Sequence, residues 1–283
     1  MASGACEQSH CWSTRRHEVE GRGIATSLPN LGRLPIVQFL RPLVWLFMQS
    51  FHRVRFVGFR KVPREIGPEG MILVSNHASL VDPLILQALT VASVRWMMDR
   101  SFMSSGGNWF WRRTRVIPVE FGPKDADAFA EAIAHVKAGG VLGVFPEGGL
   151  PRPPRELRPF LPGVGAIVAR TKAPVLLVWV DGGPRAPSVG ESLFRRSEIT
   201  VTVVDVVRFE GREARDVKGI TARLRERIAA ASGWPLNDEP MPHLAERMTR
   251  HDAEQHPDHV RRPESPPSVS SPGNSAATSA ESI

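Results

Sequence analysis

The sequence predicts an α/β fold with a mixed, largely parallel sheet flanked by helices, preceded by an N-terminal interfacial amphipathic helix. Three observations predict it. Apolar runs alternate with helical patterns along the chain, the runs are apolar throughout, and two polar clusters each directly follow such a run. Continuous apolar runs are typical of parallel strands covered on both faces, and ligands bind such sheets at the carboxyl ends of the strands.

Six strands and four helices are predicted after the N-terminal helix. The strands are assigned to residues 54–59, 71–75, 116–121, 141–145, 174–180 and 199–207. The helices are assigned to residues 80–89, 125–138, 163–170 and 216–231. This alternation predicts helices on both faces of one sheet.

The helix predicted at residues 34–51 is the most lipid-like part of the chain. Proline, glutamine and arginine interrupt its apolar pattern, so it lacks the roughly twenty apolar residues of a spanning helix. We predict that it lies in the membrane interface, with aromatic rings towards the acyl chains and arginines at the headgroups. The rings are Trp45, Phe47 and Phe51, and the arginines are Arg41, Arg53 and Arg55. An ordinary helix docked on the core is the alternative.

One folded domain at residues 31–236 is expected between two disordered tails. The chain has 283 residues, 42% of them hydrophobic, which suffices for one sizeable core. Residues 237–283 are rich in proline, serine and charged residues, which bury too little apolar surface to fold. Residues 1–30 are similarly polar and contain no apolar stretch typical of a secretory signal.

The basic charge of the chain points to an anionic partner. The formal net charge is +7, which fits nucleic acid, a membrane surface or a phosphate-bearing substrate. The cations lie among apolar, membrane-like segments and no nucleic-acid module is recognisable, so we predict a membrane surface and no nucleic acid. The two cysteines, Cys6 and Cys11, match no zinc-finger spacing and fit a reducing compartment. The expected location is therefore the cytoplasmic face of a membrane, with no metal site.

The first polar cluster, residues 76–83, contains His77 and Asp82. A neutral imidazole accepts a proton from a hydroxyl near neutral pH. A carboxylate that accepts a hydrogen bond from the second ring nitrogen holds the ring in one tautomer and stabilises the imidazolium that forms. We therefore predict that His77 and Asp82 are a catalytic pair.

The pair requires a turn ahead of the next helix. Five residues on an ideal helix separate two side chains by about 140°, so His77 reaches Asp82 only from a turn before the helix. Ser79 and Asp82 have the spacing of a capping box, and Pro83 suits the first helical turn. The same pattern also fits a simple helix cap with His77 as a surface residue.

The second polar cluster, residues 145–149, contains Glu147 and two glycines. Glycines let backbone amides approach an anion, and a nearby guanidinium binds phosphate through two parallel hydrogen bonds. An ordinary proline-glycine turn is the structural alternative. We predict substrate binding by Asn76, Pro146, Glu147, Gly148, Gly149 and Arg152.

The ordered motifs resemble those of the membrane-associated glycerolipid acyltransferases of the 1-acylglycerol-3-phosphate acyltransferase kind. They are Asn-His-x-Ser-x-x-Asp-Pro at residues 76–83, Phe-Pro-Glu-Gly at 145–148, Leu-x-Pro-Phe-x-Pro-Gly at 157–163 and Ala-Pro-Val at 173–175. The resemblance implies that His77 deprotonates the acceptor hydroxyl, that Asp82 orients His77, and that Glu147 and Gly148 bind the glycerol phosphate acceptor. It also implies an acyl-CoA or acyl-carrier protein donor and a lipid acceptor.

Two positions depart from the pattern of that family. Gly149-Leu150 stands where a polar pair such as Thr-Arg is usual, and Val119-Glu120-Phe121 lacks the arginine that normally ends this strand. Two acceptor classes therefore remain: a lysophospholipid, with Arg115, Arg152 or Arg155 supplying the charge, or a lipid without phosphate.

The functional hypotheses fall into three classes. Acyl transfer to a lipid hydroxyl leads, and it requires no metal or redox cofactor, so none is predicted. A catalytically idle membrane-surface binding protein is the alternative that is not an enzyme. Thioester hydrolysis, with water in place of the lipid hydroxyl, is the third.

Overall fold

The computed structural model describes residues 35–90, 92–103, 114–122 and 125–246, with side chains of the first helix described from residue 43 onwards. The predicted N-terminal tail at residues 1–30, with both cysteines, lies outside the described residues. So do residues 247–283 of the predicted C-terminal tail.

Seven strands form one sheet in the described part of the chain. They are β1 (His52–Val57), β2 (Met71–Ser75), β3 (Val94–Asp99), β4 (Ile117–Val119), β5 (Val141–Val144), β6 (Val175–Asp181) and β7 (Ser197–Val207). Their order is β1-β7-β6-β2-β5-β3-β4, and only the β6/β7 pairing is antiparallel. The predicted mixed, largely parallel sheet is confirmed.

The helices of the described residues lie on both faces of this sheet. They are α1 (Pro35–Phe51), α2 (Asp82–Leu86), α3 (Ala126–Lys137), α4 (Gly163–Thr171), α5 (Val189–Phe194) and α6 (Val217–Ser232). Ile72 and Val74 of β2 face one core cluster, together with α3, α4 and α6. Met71 and Leu73 face the other, together with α1 and α2. Alternation of side chains along each strand thus separates the core into two apolar layers.

Two elements were not predicted from the sequence. In β3 the buried Val94 and Trp96 alternate with the less buried Arg95, which interrupts the apolar run that marks the other strands. The short helix α5 begins at a cap where the Ser188 hydroxyl accepts a hydrogen bond from the Glu191 amide at 3.2 Å. The Ser-x-x-Glu spacing was therefore a readable signal for α5.

Helix α1 packs through its C-terminal turn and exposes the turn before it. Met48 is buried, whereas Leu43, Val44, Trp45 and Leu46 are exposed. Phe47 and Phe51 contact each other and Phe194 of α5, with ring centroids between 4.9 and 5.6 Å apart. We predicted that these two phenylalanines face the acyl chains. In the structure they pack between α1 and α5. Among the described helices, none is long and apolar enough to cross a bilayer.

The strand register brings the two polar clusters to one edge of the sheet. β2 and β5 are parallel neighbours, with Met71 opposite Val141 and Val74 opposite Val144. Both strands therefore end at the same level, and residues 76–82 emerge beside residues 145–149. β6 flanks β2 on its other side, with Ser75 opposite Val178.

We predict a loss of stability on acidification from two buried histidines. Burial lowers the pKa of His52, against the opposing hydrogen bond to the Leu193 carbonyl, and burial likewise lowers the pKa of His135. Since the unfolded chain binds these protons more readily, the free energy of unfolding should fall as the pH drops below about 6.5. Replacing His52 by Gln should make this fall shallower, as urea unfolding between pH 7.5 and 5.5 would measure.

The matched change His135→Gln should act in the same direction. If both variants keep the pH dependence of the unaltered protein, then neither histidine is held neutral by its surroundings and the prediction is wrong.

Candidate active site

The turn between β2 and α2 brings His77 against Asp82. Asp82 is the first residue of α2, and its Oδ2 accepts a hydrogen bond from His77 Nδ1 at 3.0 Å. The same oxygen accepts from the amides of Ala78 at 2.7 Å and Ser79 at 2.8 Å. His77 thus lies in the turn before the helix, which is the geometry that lets a residue five positions away reach the imidazole.

This contact assigns the tautomer of the His77 ring. A carboxylate oxygen that already accepts two amide hydrogen bonds has an acceptor role, so Nδ1 carries the hydrogen and Nε2 keeps its lone pair. The Asp82 side chain is fully buried, while that of His77 is 15% exposed. No residue in the described part of the chain bonds to Nε2. The accessible nitrogen is therefore the one that can accept a proton.

The capping arrangement differs from the predicted capping box. The Asp82 carboxylate does reach back to the Ser79 amide, as in that motif, but the Ser79 hydroxyl donates to the Pro184 carbonyl at 2.8 Å. Ser79 therefore ties the turn to the loop that follows β6. The cap position itself is Val81, which has no side-chain hydrogen bond.

The Asn76 side chain, predicted to bind substrate, is directed into the protein. Its amide donates to the Val180 carbonyl and accepts from the Val180 amide, both at 2.8 Å, and its side chain is buried. The pairing continues the β2/β6 ladder by one residue through a side chain. Because both groups of the amide are satisfied inside the protein, we assign Asn76 to positioning the turn.

Glu147 is also directed inwards. It is 1% exposed, and its two carboxylate oxygens accept from the amides of His77 and Arg158, each at 3.0 Å. Burial raises the pKa of Glu147 to about 7, although these two amide hydrogen bonds act in the opposite direction. Glu147 therefore ties the segment after β5 to the His77 turn, a positioning role that differs from the predicted contact with the acceptor.

The neighbouring Pro146, Gly148 and Gly149 form a covered turn. Gly148 has a φ of 72°, and its amide donates to the Phe145 carbonyl at 3.1 Å. A Cβ on Gly148 would lie 2.9 Å from methyl groups of Leu161 and Leu244, and one on Gly149 would lie 2.8 Å from the His243 ring. The buried Pro146 accepts from the Leu161 amide. Protein side chains thus occupy the space beside these predicted substrate-binding glycines.

The arginines that follow this turn differ in their surroundings. Arg152 is exposed, and its carbonyl accepts a hydrogen bond from Arg158. Arg155 forms a bidentate pair with Asp181, both distances being 3.2 Å. Arg158 is 5% exposed and pairs with Glu239 at 3.3 Å. Of these three, Arg152 is the one whose exposed side chain fits the predicted role of binding an anionic acceptor.

Residues 235–246, named here the C-terminal strap, are a part of the site that sequence reasoning missed. Met241 and Leu244 are buried, and the His243 ring is 3.0 Å from the Gly148 carbonyl. The tail was predicted to begin at Asn237, whereas the described residues 237–246 pack on the turn after β5. The two buried apolar residues in a polar segment were the signal for this contact.

Backbone amides near the predicted catalytic pair are occupied. Those of His77, Ala78 and Ser79 donate to carboxylates, and that of Gly148 donates to a carbonyl. The sequence had left the amides beside Gly148 as candidates for approaching an anion. In this structure these four amides hold the site together.

Comparisons with known proteins agree with this fold and with the motifs. Residues 53–181 match the model of the Acyltransferase family. This segment therefore resembles an acyltransferase domain. The predicted resemblance is thereby confirmed, and both polar clusters lie within the matched residues.

The fold of this chain is similar to that of a solved structure. It is the 1-acyl-sn-glycerophosphate acyltransferase PlsC from Thermotoga maritima, with a TM-score of 0.52 and 24% sequence identity over 69% of this chain and 80% of that chain. At this identity the similarity concerns the fold. A search of the curated proteins finds no significant match.

We predict that Glu147→Gln weakens the fold and the site together. A glutamine offers one acceptor where the carboxylate offers two, so either the His77 or the Arg158 amide would face an NH₂ group. The expected loss is about 1–3 kcal/mol of unfolding free energy, measured by urea denaturation. Because the raised pKa of Glu147 stabilises the native protein at low pH and that contribution is lost as the pH rises through about 7, the loss should shrink between pH 6 and pH 8.

Glu239→Gln is the matched control, since Glu239 is an exposed partner of Arg158. It should change stability by less than about 0.5 kcal/mol. Equal effects of the two substitutions would contradict a bridging role for Glu147.

Proposed function

We propose that this protein transfers an acyl group from an acyl thioester, carried by coenzyme A or acyl-carrier protein, to a hydroxyl of a lysophospholipid-type acceptor. The observation that carries the proposal is the 3.0 Å hydrogen bond between His77 Nδ1 and Asp82 Oδ2 at the carboxyl end of β2. The match of residues 53–181 to the Acyltransferase family supports the reaction class. The activity of the Thermotoga maritima protein motivates the acceptor class.

His77 acts as the general base of the proposed reaction. Nε2 takes the proton of the acceptor hydroxyl while the oxygen attacks the thioester carbonyl carbon. A C–O bond forms, the C–S bond breaks, and the imidazolium returns the proton to the leaving thiolate. Asp82 keeps the ring in the tautomer with a hydrogen on Nδ1 and stabilises its charged form.

A lipid without phosphate is the second candidate acceptor. The ion pairs of Arg155 and Arg158 favour it, whereas the exposed Arg152 favours a phosphate-bearing acceptor. Arg155 pairs with Asp181 and Arg158 with Glu239, so neither offers an uncommitted guanidinium to a phosphate. Apolar side chains also surround the turn after β5, since the ring of Phe121 contacts His243 and Leu161 lies beside Gly148. Parallel assays with a lysophosphatidate and with a monoacylglycerol as acceptors distinguish the two candidates.

The membrane surface is the proposed location of the acceptor, on the cytoplasmic side. Leu43, Trp45 and Leu46 of α1 are exposed apolar residues, and Arg53 and Arg55 are exposed at the start of β1. Apolar side chains flanked by cations suit an interface with anionic lipids. Since β7 is antiparallel to β6 and parallel to β1, the end of α1 lies at the sheet edge that carries His77.

We predict that His77→Ala lowers acyl transfer by roughly 10²- to 10⁴-fold, because a general base typically contributes this much. The measurement is release of free thiol from acyl-CoA or acyl-carrier protein with and without the lipid acceptor. Lys172→Ala, a change in the exposed turn after α4, is the control and should leave the rate unchanged. Retention of most of the activity by the His77 variant would rule out its role as base.

The same assay separates the other function classes. Thiol release that continues undiminished without an acceptor indicates hydrolysis. A protein that binds vesicles but never releases thiol in an acceptor-dependent manner is an idle binding protein.

We predict that the double change Trp45→Ser and Leu46→Ser weakens binding to anionic vesicles at least roughly tenfold, because two apolar side chains would no longer be buried in lipid. Vesicle flotation measures the binding. Leu236→Ser, at an exposed leucine that follows α6 and is distant in sequence from α1, should have no effect. Equal vesicle binding by all three proteins would argue that α1 only docks on the core.

A further inference from the structure

Three aromatic rings are stacked in series at the active site. The His77 ring lies on the face of Phe145, with centroids 4.1 Å apart and an interplanar angle of 13°. Phe145 in turn lies on Trp96, at 4.8 Å and 9°. The proposed reaction assigns no part to Phe145 or Trp96. Because Phe145 contacts the ring of the proposed base and Trp96 supports Phe145, both residues affect the position of His77.

The local backbone makes room for this stack. Trp96 of β3 lies opposite Gly143 of β5 in the sheet. A Cβ on Gly143 would lie 2.4 Å from the indole, so only a glycine lets the Trp96 ring lie flat across β5. Phe145 follows β5 directly and brings its ring between the indole and the imidazole. Trp96 is buried, which prevents the lower ring of the stack from moving away.

Two contacts of different kinds therefore constrain the His77 imidazole. The hydrogen bond to Asp82 fixes the direction in which Nδ1 points, but a single hydrogen bond leaves the ring free to turn about that line. Contact with the Phe145 face restricts this rotation. Together they fix where the Nε2 lone pair points, and catalytic rates depend steeply on such placement.

We propose that Phe145 and Trp96 are positioning residues that hold the plane of the His77 ring so that Nε2 faces the acceptor hydroxyl. The inference rests on the proposed function for its catalytic part. The alternative is that both rings only fill the core, in which case their removal costs stability without altering the imidazole.

Nuclear magnetic resonance of the full-length protein tests the stack independently of activity. Protons over the face of an aromatic ring are shifted upfield, so the ring protons of His77 report the stack directly. Phe145→Leu should move these resonances downfield, and Phe145→Tyr should keep them in place. The spectrum of the His77→Ala protein identifies which signals belong to His77.

Kinetics test the catalytic consequence. Phe145→Leu should lower kcat roughly tenfold with little change in KM, since the Phe145 ring contacts the imidazole, and Phe145→Tyr should restore kcat. Trp96→Leu should act in the same direction more weakly, and Trp96→Phe should largely retain both the shift and the rate. If Phe145→Leu does not fold, the comparison of the two Trp96 variants decides.

Trp179→Leu is the matched control. Trp179 of β6 is a partly buried indole that contacts Trp234 edge-on in the other core layer. Its loss should reduce stability while leaving the His77 resonances and kcat unchanged.

The outcomes separate the inference from the proposed function. Unmoved His77 resonances in Phe145→Leu, or an unchanged kcat despite moved resonances, would overturn the positioning role. An unaltered protein that shows the shifted resonances but has no acceptor-dependent acyl transfer would overturn the proposed reaction and, with it, the catalytic part of the inference.

Discussion

The buried carboxylate of Glu147 is the interaction on which the site depends. It joins two segments that are far apart in sequence by accepting one hydrogen bond from the His77 amide and one from the Arg158 amide. Burial makes the charge costly, as the pKa raised to about 7 indicates. Two charge-assisted hydrogen bonds offset part of that cost, and removing either oxygen would leave a buried amide unsatisfied. Glu147 thus holds the turn that carries the proposed base in place.

The segment that Glu147 holds is itself bound to the C-terminal strap. The Leu157 amide donates to the Pro235 carbonyl, and Arg225 of α6 donates to the carbonyls of Leu157 and Asn237. Leu157 precedes Arg158, whose amide donates to Glu147. A continuous series of hydrogen bonds therefore connects the strap, through Leu157, Arg158 and Glu147, to the His77 backbone. The position of the proposed base is therefore coupled to residues about 160 positions later in the chain.

The sequence predicted the parts of this structure that follow from local pattern. The strand at residues 71–75 has the predicted bounds, because its uninterrupted apolar run is the signature of a strand buried on both faces. Patterns could not tell which way a polar side chain points. Asn76 and Glu147 carry groups that suit a ligand, but their partners are backbone amides supplied by β6 and by the Arg158 segment, which only the fold brings near. The position of Trp96 at the site could likewise not be predicted from the sequence, since it depends on a glycine in a neighbouring strand.

The reversal of one strand pairing places the proposed base at the same end of the sheet as the helix that we propose to bind a lipid surface. β1 and β7 run opposite to the other five strands, so β1 begins, where α1 ends, at the edge where β2 and β5 end. β7 and β6 separate β1 from β2, and at about 4.8 Å per strand this places the His77 turn roughly 14 Å from the end of α1 along the sheet. Helix α5, which joins β6 to β7, lies at the same edge and contacts α1 through Phe194. With an all-parallel order the helix would arrive at the opposite edge. The antiparallel β6/β7 pair thus places the exposed turn of α1, where we propose that the acceptor is held, at the same end of the sheet as Nε2.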